Sequence, residues 1–150
     1  MRSRAQQSSA NGWAKVKTPF EFIVSAIRVA DARVDRAANL GFVLRELGMP
    51  LYFSQPPTGY PDRAEAWVNS GALVNRMNFA VSLLANRVRG VSVDLDALAG
   101  SRDPAQVQDR LVDVLLQGDA SSGTLATLAR ARDTQTMAAL IIGSPEFQKR

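Results

Sequence analysis

The sequence contains neither cysteine nor histidine. Without cysteine, the chain has no disulfide, no thiolate nucleophile and no thiolate metal ligand. The absence of histidine excludes Ser-His-Asp and Cys-His catalysis, imidazole coordination of zinc or iron, and a histidine pH switch within this chain. A Gly-x-Ser-x-Gly turn and a glycine-rich phosphate loop are also absent from the sequence. We therefore predict no catalytic residue, no metal site and no cofactor in this chain.

Long hydrophobic runs are missing as well, although the hydrophobic content of 46% and the charged content of 21% are ordinary for a globular protein. No apolar run approaches the roughly 18 residues needed to cross a bilayer, so no membrane span is predicted. The net charge is +4, and the basic residues are fifteen arginines and three lysines. The arginines are scattered among acids and form no basic stripe, so we do not expect nucleic-acid binding.

Apolar residues recur at helical spacing along most of the chain, and no segment shows the sustained alternation of a β-strand. Thr18-Pro19-Phe20-Glu21 is typical of a capped helix start, with proline in the first turn. The most convincing helix extends from about Ser70 to Val88, and we expect it to be buried on two sides as the central helix. Its buried face is predicted to contain Leu73, Met77, Ala80 and Leu84. The other predicted helices cover about 18–31, 34–47, 62–68, 94–98, 103–118, 123–132 and 134–142, with a final turn at 144–147.

A proline-rich segment interrupts these helices. Residues 49–61 contain four prolines and a glycine, which excludes a helix or a central strand, and their aromatic side chains predict an ordered loop against the helical body. Residues 1–12 are polar and are predicted to form a disordered tail, whereas residues 13–150 are predicted to form a single helical domain. The predicted fold is all-α, with six to eight helices in an irregular orthogonal bundle and one long ordered Pro-rich loop.

Four separated motifs carry a family resemblance. They are KVKTPFEF at 15–22, the loop from Leu47 through Gly59-Tyr60-Pro61 to Trp67, RMNFA at 76–80 and GSPEFQ at 143–148. In this order and spacing they resemble the C-terminal portion of a bacterial family called domain of unknown function 1800. Members of that family are typically much longer, largely helical and predicted to be exported. The resemblance therefore implies a periplasmic or secreted parent protein with a further N-terminal region, and it implies no particular reaction.

One constellation is a candidate ligand-binding site: Tyr60, Trp67, Arg76 and Asn78. Aromatic rings beside a rigid loop can stack on a sugar or hold a peptide, while arginine and asparagine supply directional hydrogen bonds. The alternative is structural, and it is the stronger of the two. In that interpretation Tyr60 and Trp67 hold the proline-rich loop on the central helix, and Arg76 and Asn78 satisfy loop carbonyls.

A second cluster contains Asp94, Asp96 and Asp103, whose oxygens resemble the ligands of a divalent cation. A calcium loop needs oxygen ligands at alternate positions, and the run 97–99 is Ala-Leu-Ala instead. We therefore interpret these acids as helix caps and first-turn residues.

Together these features predict a non-catalytic helical scaffold or interaction module of an exported bacterial protein. The alternative is a part of a hydrolase or carbohydrate-binding protein whose site is shared with an N-terminal region outside this chain. The candidate partners are accordingly another protein, that N-terminal region or a glycan. Phe20 and Phe22, on opposite sides of the first helix, mark where an exposed apolar surface is first expected.

Overall fold

The computed structural model describes residues 16–49 and 70–149. These residues form eight helices and one two-stranded sheet, which confirms the prediction of a predominantly helical fold. The helices are α1 (Pro19–Val29), α2 (Ala38–Glu46), α3 (Ser70–Leu84), α4 (Leu95–Ala99), α5 (Pro104–Leu116), α6 (Ser122–Leu128), α7 (Thr134–Ile142) and α8 (Pro145–Gln148). The predicted tail at 1–12, nearly all of the proline-rich loop and the short helix predicted at 62–68 lie outside the described residues.

The first helix begins as its sequence predicts. The Thr18 hydroxyl accepts a hydrogen bond from the Glu21 amide at 3.3 Å, and the Glu21 carboxylate accepts one from the Thr18 amide at 2.8 Å. This reciprocal pair is a capping box, and Pro19 occupies the first turn, where no intrahelical donor is needed. The cap fixes the start of α1, so that Phe22, Ile23 and Ala26 point into the core.

The sheet was not predicted. Strand β1 (Arg33–Val34) pairs antiparallel with β2 (Val91–Ser92). The first lies at the start of a predicted helix, and the second lies between the helices predicted to end near 88 and to begin near 94. A strand of two residues is too short to show alternation, so its periodicity is invisible in the sequence. Helix α2 consequently starts at Ala38 rather than near residue 34.

Helix α7 is the centre of the bundle. It packs against α3, α4, α5, α6 and α8. Five of its nine residues are buried, namely Met137, Ala138, Ala139, Ile141 and Ile142, which is typical of a helix surrounded by others.

The predicted buried face of α3 was wrong in part. Leu73 is 42% exposed, and the flanking Val74 and Val81 are 57% and 39% exposed. The buried side instead contains Arg76, Phe79, Ala80, Leu83 and Leu84. Apolar residues occur on nearly every side of this helix, so the hydrophobic period alone could not choose the buried one.

Aromatic packing joins the first and last parts of the described chain. The Phe22 ring meets Phe79 of α3 and Phe147 of α8 edge-on, each at a centroid distance of 5.9 Å. Beside these rings, Val16 pairs with Lys149 in an isolated β-bridge, and the Lys17 amide donates to the Gln148 carbonyl at 2.7 Å. In the part of the chain that the structure describes, no helix is long and apolar enough to cross a membrane.

Candidate functional site: the groove between α2 and α3

The structure describes two of the four residues of the predicted ligand site, Arg76 and Asn78. Tyr60 and Trp67 lie outside the described residues. Arg76 and Asn78 are both on α3, but they are two positions apart, which means about 200° of rotation, so their side chains leave on nearly opposite sides. Arg76 is 1% exposed, whereas Asn78 is exposed and lines an open groove.

Arg76 joins three segments of the chain. One terminal nitrogen of its guanidinium donates to the Gln148 side-chain oxygen at 2.7 Å, and the other donates to the Lys17 carbonyl at 2.7 Å. The guanidinium carbon lies 5.1 Å from the centre of the Phe22 ring, within the range of a cation–π contact. Arg76 therefore holds α3, α8 and the segment before α1 together.

Burial also changes the acidity of this arginine. Desolvation lowers the pKa of Arg76 from 12.5 to about 10, and the nearby Glu21 carboxylate partly opposes that change. The side chain stays cationic at neutral pH, and its Nε has no hydrogen-bond partner among the described residues. Since its other two nitrogens bind groups of the chain itself, the geometry gives Arg76 a structural role.

Asn78 lines an open groove of about 740 Å³. The groove is lined by Asn39, Phe42, Val43, Glu46, Leu47, Asn75, Asn78, Phe79, Ser82, Arg87, Val88 and Arg89. We call this the α2–α3 groove. It joins apolar, amide and charged side chains on a surface open to solvent.

Two asparagine side chains donate hydrogen bonds that connect the two sides of the α2–α3 groove. Asn39, near the start of α2, donates to the Arg89 carbonyl at 2.9 Å. Asn75, near the start of α3, donates to the Glu46 carbonyl at 3.0 Å, at the end of α2. The start of α2 therefore lies near the segment that follows α3, and the end of α2 lies near the first half of α3, so the two helices are antiparallel.

Three other side chains of the groove are not held by hydrogen bonds to the described residues. Within the described part of the chain, Asn78, Ser82 and Arg87 make no side-chain hydrogen bond. Phe42 is 69% exposed, the most exposed large apolar residue among those described. An exposed ring beside an amide and a guanidinium that have no partner in the described part of the chain offers stacking and directional hydrogen bonding to a ligand.

A second polar cluster lies at the start of α6. The Glu146 carboxylate accepts from the Ser121 amide at 2.8 Å and from the Thr124 hydroxyl at 2.9 and 3.0 Å. Desolvation raises the pKa of Glu146, but the hydrogen bonds from Ser121 and Thr124 outweigh it and lower the pKa to about 2. A carboxylate this acidic is a poor proton acceptor at neutral pH, and the geometry instead ties α8 to the first turn of α6.

The aspartates form no cation site in the described residues. The Asp94 side chain accepts from the Ala97 amide at 3.0 Å and so caps α4, as predicted. Asp103 precedes Pro104 at the start of α5, although its side chain makes no cap hydrogen bond. Nowhere in residues 16–49 and 70–149 do three metal-binding side chains come together.

Sequence reasoning missed most of the groove. It assigned Phe42 and Asn75 to no site, and it placed Asn78 with Arg76. One signal was available: Leu40, Val43, Leu44 and Leu47 form the apolar stripe of α2, and Phe42 lies off that stripe. A large aromatic residue outside the core-facing stripe indicates an exposed apolar surface.

The fold and the groove define a predominantly helical protein with an open, mixed polar and apolar surface groove. The family model described as "Protein of unknown function (DUF1800)" matches residues 1–149. The chain therefore belongs to this family, as its motifs predicted. Searches of the curated proteins and of the solved structures give no match.

Proposed function

We propose that this chain is a helical interaction module that binds a protein partner along the α2–α3 groove and the exposed surface of α3 that borders it. The observation that carries the proposal is the outward side of α3. Its exposed residues are Gly71, Leu73, Val74, Asn75, Asn78 and Val81, and none of them is charged. A helix that faces water normally carries charged residues on that side, and an uncharged, largely apolar side is typical of a surface that a partner covers.

We expect Phe42 to contribute most to the binding of such a partner. Its exposed ring offers the largest apolar area in the groove, and binding energy at protein interfaces concentrates in aromatic residues near the centre of the contact. Asn78 and Ser82 add hydrogen-bonding groups beside it. These polar groups would set the orientation of a bound chain, while the ring would supply most of the affinity.

Site-specific photo-crosslinking tests the proposal. A photoreactive phenylalanine analogue replaces Phe42 in the producing cells, and the same analogue replaces Phe20 of α1, which is 50% exposed, as the matched control. We expect position 42 to form one defined protein crosslink, and position 20 to form none. Equal crosslinking from both positions, or none from position 42, would contradict a partner in the groove.

A second candidate, glycan binding, is favoured by the amide groups next to the exposed ring. An aromatic face with neighbouring asparagine side chains suits the apolar face and the hydroxyls of a sugar. A glycan array probed with the wild-type chain, Phe42→Ala and Asn78→Ala distinguishes the two. Binding that both substitutions abolish would support the glycan. Absence of any array signal, together with a protein crosslink at position 42, would support the protein partner.

An exported bacterial parent protein forms part of the proposal. This location is supported by the family resemblance alone, and fractionation of the producing cells tests it. A parent protein in the periplasmic or extracellular fraction would support export, whereas a parent protein confined to the cytoplasm would contradict it.

A further inference from the structure

Another cavity lies between the second half of α1, the end of α5 and α8, and its volume is about 310 Å³. It shares no lining residue with the α2–α3 groove. Part of its lining is apolar and includes Val24, Leu115 and Phe147. Small-molecule sites measure about 300–1,000 Å³ and combine an apolar lining with a few polar groups, so this cavity suits a small ligand. We call it the α1–α5–α8 pocket.

Three cationic side chains line the α1–α5–α8 pocket, namely Lys17, Arg28 and Lys149. None of them forms an ion pair or donates a side-chain hydrogen bond within the described part of the chain. The two lysines belong to paired segments, because Val16 pairs with Lys149 and the Lys17 amide donates to the Gln148 carbonyl. Arg28 suits the last turn of α1, where a helix favours a cation, but that preference does not account for the lysines.

Lys17 is the cation that would gain most from a bound anion. Its side chain is half-buried, and its Nζ lies 3.9 Å from the centre of the Phe147 ring. Burial lowers the pKa of Lys17, the Glu21 carboxylate opposes that change only in part, and the Arg76 guanidinium adds to it. An ammonium removed from water loses hydration free energy, which an opposite charge can compensate.

Two carboxylates also line the pocket, those of Asp119 and Glu146. The Glu146 carboxylate already accepts hydrogen bonds from the Ser121 amide and the Thr124 hydroxyl, so its charge is largely compensated there. Asp119 is exposed and forms no ion pair with any of the three cations. The cations therefore outnumber the carboxylates, and only one of those carboxylates is free to balance them.

The neighbouring sequence adds no further carboxylate. Residues 1–15, which lead into Val16 beside the pocket, contain three basic residues and no acidic one. Residues 50–69 contain Asp62 and Glu65, but they connect α2 to α3, and neither of these helices lines the pocket. The segments that adjoin the pocket along the chain thus increase its positive charge.

From these features we infer that the α1–α5–α8 pocket binds a small organic anion that carries a phosphate group. A phosphate monoester has close to two negative charges and three acceptor oxygens, which matches three cationic donors better than a carboxylate does. Arg28 can donate two parallel hydrogen bonds, and each lysine supplies an ammonium. The apolar lining would contact the organic part of the ligand. The inference goes beyond the proposed function, because it concerns a different surface and a different ligand.

Isothermal titration calorimetry of the purified chain with phenyl phosphate, at constant ionic strength, tests the site. We expect saturable binding to one site, at least about tenfold tighter than the binding of benzoate, which has the same ring but a single charge and two oxygens. A free phosphate ester and the headgroup of phosphatidic acid share this chemistry. Flotation with vesicles of phosphatidylcholine, with and without phosphatidic acid, distinguishes these two sources.

Two double variants locate the binding. Arg28→Gln with Lys149→Gln, both at exposed positions, should raise the phenyl phosphate dissociation constant at least about tenfold. Arg45→Gln with Arg102→Gln removes as much charge at exposed positions outside the pocket and should leave the constant unchanged. Far-UV circular dichroism checks that both double variants remain folded.

Three results would overturn the phosphate site. They are no saturable phenyl phosphate binding up to about 10 mM, benzoate binding as tight as phenyl phosphate binding, or equal weakening by the two double variants. Flotation with phosphatidic acid that only the Arg28 and Lys149 double variant loses would assign the site to a lipid headgroup. Phenyl phosphate binding without flotation would assign it to a free phosphate ester. Crosslinking at position 42 tests the proposed function separately, so either idea can fail alone.

Discussion

Replacing Gly90 by alanine is expected to lower the free energy of unfolding by about 3 kcal/mol. Gly90 precedes β2 with a φ of 76°, and its carbonyl accepts hydrogen bonds from the Asp35 amide at 2.7 Å and the Arg36 amide at 3.2 Å. A side chain at positive φ costs about 1–2 kcal/mol. An added Cβ would also lie 2.7 Å from the Arg36 Cβ and 3.1 Å from the Arg36 backbone nitrogen and oxygen, and such overpacking costs about 1–3 kcal/mol.

Gly41→Ala is the matched control, because Gly41 lies inside α2 and an added Cβ meets nothing within 4 Å. Alanine favours a helix over glycine by about 0.5–1 kcal/mol, so this variant should be more stable than the wild type. For a chain of this size, each kcal/mol shifts the melting temperature by about 2–4 °C. Thermal unfolding followed by circular dichroism should therefore show Gly90→Ala melting about 6–12 °C lower and Gly41→Ala a few degrees higher. A Gly90→Ala variant that melts with the wild type would refute the assigned turn geometry.

Two further predictions concern the polar clusters. Arg76→Met leaves the Gln148 oxygen and the Lys17 carbonyl without their donor, and at about 1–3 kcal/mol for each unsatisfied acceptor it should destabilise the fold by about 2–6 kcal/mol. Urea denaturation measures the free energy of unfolding. An Arg76→Met variant as stable as the wild type would show that these two hydrogen bonds do not stabilise the fold. The pKa of Glu146 is lowered from 4.5 to about 2, so its contribution to stability is complete above about pH 4.5 and is lost as the pH falls towards 2. Glu146→Gln should therefore make stability less dependent on pH in this window, and an unchanged urea–pH profile would contradict the assigned hydrogen bonds.

Helix boundaries marked by capping residues could be predicted from the sequence. The threonine cap and proline that start α1, the Asp94 cap of α4 and the bounds of α7 from Thr134 to Ile142 agree with the structure. These signals are local, since a cap and its partner lie three residues apart. The β1–β2 pairing joins residues about sixty positions apart over two residues each, and no local pattern reports such a contact.

The candidate site was less predictable because it depends on which side of α3 faces the core. Sequence reasoning grouped Arg76 with Asn78, either as ligand-binding groups or as partners of loop carbonyls. Arg76 is buried because an acceptor from α8 and a carbonyl before α1 reach it, and both partners are distant in the sequence. Once Arg76 turns inward, Asn78 and the apolar residues beside it turn outward.

The pairing of Val16 with Lys149 has a consequence for how the domain can be connected. Residues 16 and 149 are neighbours in space, so a short linker could join them and new ends could be opened in a surface turn, such as the one around Gly118. Likewise, the segment 16–149 could be grafted into a surface loop of a host protein with little strain on the host. Because both ends of this segment lie side by side, the segment could be transferred between proteins as a unit.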